Sequence, residues 1–333
     1  MSSFPRIAVI GAGAWGTALA QMLCHAGREV LLRAREPDVV AGINDGRENP
    51  LYLPGVPLNP ALRASSDLAE VAGADLVLLV VPAQFLRRIC RDLAPALKPG
   101  TPVLICAKGI ELDSHALMSE AAAAELGDRP LAVLSGPTFA IEVARGLPTA
   151  VTLACADADL GARIVDSVGQ AHFRPYASTD VIGAEIGGAL KNVIAIACGI
   201  VMGRGLGDNA RAALMTRGLA EMRRYGALRG ARAETLMGLS GLGDLALTCN
   251  SPQSRNMSLG IALGEGRSMD EILGARRSVA EGVATAAAVA SHARALGIDM
   301  PIAAAVAAVC HDGADLDEAI RGLLSRPFRP ETA

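Results

Sequence analysis

A chain of 333 residues can bury a sizeable core and suits two domains. Its composition, 51% hydrophobic, alanine-rich and only 3% aromatic, suits packed helices and excludes a disordered chain. A net charge of −3 with no basic run argues against nucleic acid as a partner, and seven cysteines standing singly fit reduced thiols in a cytoplasm and offer no metal site.

The first predicted strand, "RIAVIG", leads into Gly11-Ala-Gly13-Ala-Trp-Gly16 and the helical "WGTALAQMLCHAG". Alone, G-x-G-x-x-G is a weak signal; at a strand–loop–helix junction it predicts dinucleotide binding. Gly11 permits the tight turn, Gly13 lets the backbone approach a pyrophosphate, and Gly16 lets helix and strand pack closely. The helix N-terminus supplies amides and dipole for the anion. These glycines also distinguish the stretch from a signal sequence, and the other apolar runs, such as "ADLVLLVVPAQFL", fall short of the roughly 20 residues that span a bilayer. A soluble cytoplasmic protein without membrane insertion is expected.

The second strand, "EVLLRAR", ends at Arg33-Ala34-Arg35-Glu36. An acid at this tip suits the free ribose hydroxyl of NAD; two arginines favour the 2′-phosphate of NADP, with ordinary surface charges as the alternative. Further strands are expected at "DLVLLVVP", "PVLICAKG", "LAVLSGP" and "TAVTLACA", mostly apolar throughout, as strands covered on both faces should be. Strands alternating with helices imply a doubly wound parallel α/β sheet of the Rossmann type. "ICAKGIE" puts Lys108, and "LSGPTFAIEVARGLPTA" puts Gly136 and Thr138, at strand ends where such sheets hold ligands.

Near "ASTDVIGAE" the character changes to helical periodicity with no further strand, and Ser178, Thr179 or Asp180 is placed to cap a long helix. The expected division is 1–178, a dinucleotide-binding domain, and 179–333, an all-helical substrate domain. The long helix holds "EIGGALKNVIAIACGI", a buried apolar stretch interrupted by Lys191 and Asn192. Of 31 Lys+Arg only Lys98, Lys108 and Lys191 are lysines, and Lys98 lies in the turn "LKPG". A chain that otherwise uses arginine places lysine where a group must titrate, because arginine keeps its proton. Later, "GLSGLGDLALTCNSPQSRNMSLG" carries Asp244 in a glycine-rich loop and Ser254-Arg255-Asn256 before a helix, a natural place for a phosphate. "VAEGVATAAAV" sets Glu281 beside Gly282. Each has a bland alternative: a strand-end lysine, a loop brace, a solvated arginine.

Together "GAGAWGTALA", "AKGIE", "LSGPTFAIEVARGLPTAV", "EIGGALKNVIAIACGI", "GLGDLALTCNSPQSRN" and "VAEGVATA" resemble, over nearly the whole length and in order, the bacterial NAD(P)-dependent glycerol-3-phosphate dehydrogenases. The resemblance implies reduction of dihydroxyacetone phosphate to sn-glycerol 3-phosphate for phospholipid synthesis, by a homodimer. It implies cofactor contacts at Ala14, Trp15, Arg35, Lys108, Ala140, Arg255, Val279 and Glu281. Substrate contacts fall at Lys108, Gly136, Thr138, Lys191, Asp244, Ser254, Arg255 and Asn256, with Lys191 as the proton acceptor. Ala14 replaces a common serine, Ile141 a lysine, and Arg33 an aromatic residue.

Ketone reduction requires a proton donor for the developing alkoxide. A lysine serves at neutral pH if burial and a second ammonium lower its pKa. Lys191 is the expected acid/base, with Lys108 orienting the carbonyl, Asp244 holding a substrate hydroxyl or Lys191, and NADP preferred over NAD. The competing readings are a dehydrogenase of 3-hydroxy acids, which shares a Lys-Asn pair, and a non-catalytic NADP sensor, which would need none of the three charged residues.

Overall fold

In a computed structural model, residues 4–274, 280–328 and 330 are described. Eight strands, β1 (Arg6–Ile10), β2 (Glu29–Arg33), β3 (Arg63–Ser65), β4 (Leu76–Leu79), β5 (Val103–Ile105), β6 (Leu131–Ser135), β7 (Thr149–Cys155) and β8 (Phe173–Ser178), form one sheet ordered 3-2-1-4-5-6-7-8. The six predicted strands are present; β3 and β8, both at sheet edges, are additional. β3 is three residues long, and β8 (FRPYAS) is mostly exposed, so neither carries the apolar run of a strand buried on both faces. Pairing is parallel throughout except between β6 and β7. The sheet is thus the expected doubly wound parallel one with a single antiparallel pair, where the chain leaving β6 turns back from the same end of the sheet without a crossover to the other end.

The sheet carries α1 (Ala14–His25), α2 (Pro37–Asn44), α3 (Leu86–Leu93), α4 (Met118–Leu126), α5 (Ala140–Ala144) and α6 (Ala158–Val168) between its strands. Strand order reverses beside β1, which lies between β2 and β4, and the crevice at such a switch point is where open α/β sheets bind ligands.

After Ser178 the described residues hold helices only: α7 (Val181–Gly203), α8 (Gly207–Arg229), α9 (Ala233–Leu236), α10 (Asp244–Cys249), α11 (Arg255–Gly264), α12 (Met269–Gly274), α13 (Glu281–Leu296), α14 (Pro301–His311) and α15 (Leu316–Leu324). Of the three capping candidates it is Asp180 whose carboxylate accepts the Gly183 N–H, at 2.9 Å. α7 is long and apolar enough to cross a membrane, but 83% of its most apolar window is buried inside the protein. Against it cross α8, α10, α11 and α13, so it is the axis of the helical core. A pair of glycines lets it pack closely, Gly188 against the strand ends and Gly187 against the segment before α10. A Cβ on Gly188 would stand 2.6 Å from Ser135 Oγ and 3.3 Å from the Lys108 stem, and one on Gly187 would stand 2.5 Å from the Ser240 carbonyl oxygen. The "GG" before Lys191 therefore sets how near that lysine lies to the strand ends.

Candidate active site

The loop from Gly11 to Gly16 has the shape that its spacing predicts. Gly11 has φ +109°, and a Cβ there would meet the Val80 carbonyl oxygen at 2.5 Å. A Cβ on Gly16 would lie 1.8 Å from the Gly11 oxygen, whereas one on Gly13 meets nothing within 4 Å. Two glycines thus close the turn, and open space remains over the second, at the N-terminus of α1, as a cradle for a pyrophosphate requires. The Ala12 carbonyl is braced by Asn49, whose Nδ2 donates to it at 2.9 Å and to Thr17 Oγ1 at 2.8 Å. Asn49 carries no motif, and only its complete burial reveals the role. Ala14, Trp15, Ala140 and Ile141 pack against the same core, so Ile141 is an apolar contact there. Trp15 Nε1 is buried without a hydrogen-bond partner among the described residues, a donor suited to a bound group.

At the tip of β2, Arg35 is paired with its neighbour: Nη2 lies 2.8 Å from Glu36 Oε1. Against the effect of burial, Arg35 and the Tyr52 hydroxyl hold the Glu36 carboxyl below the usual range. Arg33 is half-buried, and its Nε has no partner among the described residues.

The ends of β5 and β6, α7 and α10 meet in a charged centre. Lys191 Nζ donates to Asp244 Oδ1 at 2.8 Å and to Thr248 Oγ1 at 2.9 Å. Lys108 Nζ donates to Asp244 Oδ2 at 2.6 Å and to the Gly136 carbonyl at 2.9 Å. The Thr138 hydroxyl reaches the same carbonyl at 3.4 Å. Asp244 is 1% exposed, Lys191 10% and Lys108 15% at their side chains, so two ammonium groups share one nearly dry carboxylate. Burial lowers the Lys191 pKa to about 8; Asp244 works the other way, and the Lys108 charge lowers it further. Each oxygen of Asp244 accepts from one lysine, which is the position expected of a residue that holds Lys191 in register.

Thr248 went unnoticed in the sequence. It stands four residues after Asp244 on α10, so the two share a helix face, and Thr248 Oγ1 lies 3.2 Å from Asp244 Oδ1. Asn192 and Asn256 join helices. Asn192 Nδ2 donates to the Gly188 carbonyl at 3.3 Å, its Oδ1 accepts from Asn256 Nδ2 at 2.9 Å, and Asn256 Oδ1 accepts the Gly282 N–H at 3.0 Å. This relay joins α7, α11 and α13, leaving the Asn256 carboxamide engaged at both ends.

At the start of α11, Ser254 caps the helix by accepting the Met257 N–H, and exposed Arg255 follows as its first residue. Glu281 begins α13; its Oε1 accepts the Ala83 N–H at 3.2 Å, while its buried Oε2 has no partner among the described residues. Burial pushes this carboxyl up to about 7, with Ala83 and the Arg255 charge opposing the shift. Val279 lies outside the described residues.

Residues 6–161 match the family model for the N-terminus of NAD-dependent glycerol-3-phosphate dehydrogenase, and residues 180–321 match its C-terminus. The chain is 58% identical over 330 residues to a glycerol-3-phosphate dehydrogenase (NAD(P)+) of Parvibaculum lavamentivorans, covering 99% of each chain. It is 62% identical over 327 residues to one from Rhodospirillum rubrum, covering 98% of this chain and 94% of that one. Among solved structures, glycerol-3-phosphate dehydrogenase from Coxiella burnetii superposes with a TM-score of 0.93 at 40% identity, over 96% of this chain and 99% of that one.

Proposed function

The chain belongs to the NAD-dependent glycerol-3-phosphate dehydrogenase family, and on that premise we propose which of its residues carry the chemistry. It is an NAD(P)-dependent oxidoreductase that interconverts dihydroxyacetone phosphate and sn-glycerol 3-phosphate, feeding phospholipid synthesis. The nicotinamide, when bound, supplies and accepts the hydride.

Lys191 is the acid/base. During reduction its ammonium gives a proton to the substrate oxygen as that oxygen becomes an alkoxide; during oxidation its neutral amine removes the hydroxyl proton. The supporting observation is the bridge of Asp244 to Lys191 at 2.8 Å and to Lys108 at 2.6 Å in a buried centre. Asp244 fixes both nitrogens, Thr248 adds a second hydrogen bond to Lys191, and Lys108 polarises the carbonyl. Two ammoniums and one carboxylate leave one net positive charge, which favours an anionic substrate. Arg255, with the amides at the start of α11, receives the substrate phosphate. Gly136 and Thr138 shape the wall opposite. Gly11, Gly13 and Gly16 seat the pyrophosphate; Ala14, Trp15, Ala140 and Glu281 line the cofactor path, and Arg35 takes the 2′-phosphate, giving NADP preference.

Lys191→Ala is expected to bind NADPH nearly as tightly as the unaltered protein while kcat falls by about two to four orders of magnitude. Near-normal turnover in stopped-flow assays with dihydroxyacetone phosphate would remove Lys191 from this role. NADPH oxidation with 3-oxo acids, in the same assay, tests the rival substrate class.

The division into 1–178 and 179–333 is supported by the last strand ending at Ser178 and by family models that cover 6–161 and 180–321 separately. A cytoplasmic protein without membrane insertion completes the reading, supported by a long apolar helix buried against its own neighbours and by seven unpaired cysteines; the homodimer is what the family resemblance implies.

A further inference from the structure

The loop that follows Lys108 straddles the sheet and the helices. It is closed by a bridge between Ile110 and Leu117, whose side chains are buried in the helical core. On the sheet side Gln84 and Arg87 hold Ile110, Leu112 and Glu111. Within the loop His115 stands at φ +57°, a conformation that costs energy for a residue with a side chain and persists where its surroundings hold it. Its ring stacks on that of His292 of α13, with centroids 5.0 Å apart and planes 9° from parallel. Behind His292 lies Tyr225 of α8, its hydroxyl oxygen 2.8 Å from His292 Nδ1. Arg229, one turn further along α8, donates to the His115 carbonyl at 3.4 Å and to the two Glu120 carboxylate oxygens at 2.7 and 2.9 Å.

We propose that the stacked pair is a clasp between sheet and helices: His115 and His292 are positioning residues that hold the loop, and with it Lys108, at the charged centre, and their protonation opens the clasp. The inference rests on the reading that Lys108 polarises the substrate carbonyl. One imidazolium can stack on a neutral ring, but two held face to face repel. The groups around the pair do not relieve this. Glu120 is already paired with Arg229, whose charge is permanent, and Tyr225 is uncharged. Glu185 of α7, near both Glu120 and Arg229, loses its charge below about 7. On the loop itself Glu111 is paired with Arg87, and Asp113 is exposed to solvent. Burial first, then Arg229 and His115, hold the His292 pKa below its usual 6.5, with Glu120 opposing. The closed clasp is therefore fully favoured above about 6.5 and loses its advantage as pH falls below that value.

Initial rates of dihydroxyacetone phosphate reduction by NADH, between about pH 5 and pH 7.5, compare the intact protein with His115→Phe, which keeps a ring to stack and has no proton to gain. Hydrogen–deuterium exchange of residues 110–117, corrected for intrinsic rates, reads the clasp itself. On acidification the unaltered protein is expected to lose about fivefold more kcat/KM than His115→Phe, and only its loop exchanges faster. His115→Asn suits the left-handed backbone but removes the stack, so fast exchange and lowered kcat/KM are expected already at about pH 7.5. Coincident pH profiles for the unaltered protein and His115→Phe would overturn the positioning role, because titration of the substrate is common to both. Loop exchange that neither acid nor His115→Asn accelerates would overturn the clasp. Undiminished turnover in Lys108→Ala would instead remove the reading on which the inference rests.

Discussion

Lys191 sits where three effects compete. Burial disfavours its charge, Asp244 favours it and Lys108 disfavours it, with a pKa of about 8 as the outcome. In the proposed role, the ammonium present below that pH is the acid for reduction, and the amine present above it is the base for oxidation. Accordingly kcat/KM for dihydroxyacetone phosphate is expected to fall as pH rises through about 8, and that for glycerol 3-phosphate to rise over the same interval. Initial rates in both directions check this, and two profiles bending the same way would contradict the assignment. The stability sign follows from the same shift. The folded pKa lies below the unfolded value of 10.5, so the charged lysine costs stability below pH 8 and the cost is relieved between about 8 and 10.5. The lysine count made this residue legible in sequence, whereas nothing marked Asn49 or Thr248, whose roles arise only from what their side chains reach.

At the scale of elements, α7 and its contacts carry the design. Against α11 the approach is close enough that a Cβ on Gly199 would meet the Met257 carbonyl oxygen at 2.2 Å and one on Gly260 the Ile196 oxygen at 2.0 Å. Against α4, Glu185 of α7 accepts the Ser119 N–H at 2.7 Å and the Ser119 hydroxyl at 2.6 Å, fastening the helical core to a helix of the sheet. Burial pushes the Glu185 carboxyl up to about 7, with the Ser119 donors opposing. Because the folded pKa exceeds the unfolded one, this group's contribution to stability is full below about 4.5 and is lost as pH rises through about 7. Glu221 and Glu281 shift in the same direction, so the informative quantity is a difference between variants. Glu185→Gln keeps the shape and removes the charge, and the serine hydroxyl can reverse to accept. Urea unfolding of this variant is expected to lose about 1–3 kcal/mol less than the unaltered protein between about pH 5 and pH 8. An identical pH dependence would show that Glu185 does not titrate in this range.

For the whole molecule, the centre exists only when sheet and helices close on each other: Lys108 follows β5, Lys191 lies on α7 and Asp244 opens α10. The proposed homodimer predicts a sedimentation mass of twice the 34.1 kDa chain, and a single species at the chain's own mass would refute it. The glycine loop, the strand–helix alternation, the buried long helix and the two informative lysines were all determined by sequence. The first three depend on residues a few positions apart, where spacing alone dictates turn, face or burial, and the lysines stand out by their rarity in the chain. Tertiary structure decided the rest: which oxygen of Asp244 each lysine takes, the antiparallel return into β7, the packing role of Asn192, and the hold of Glu36 on Arg35 with Tyr52 behind it. Lys108 and Asp244 are 136 positions apart in the chain and 2.6 Å apart in the fold. Ion pairing acts over ångströms of space, so no spacing along the sequence could have disclosed which charges meet.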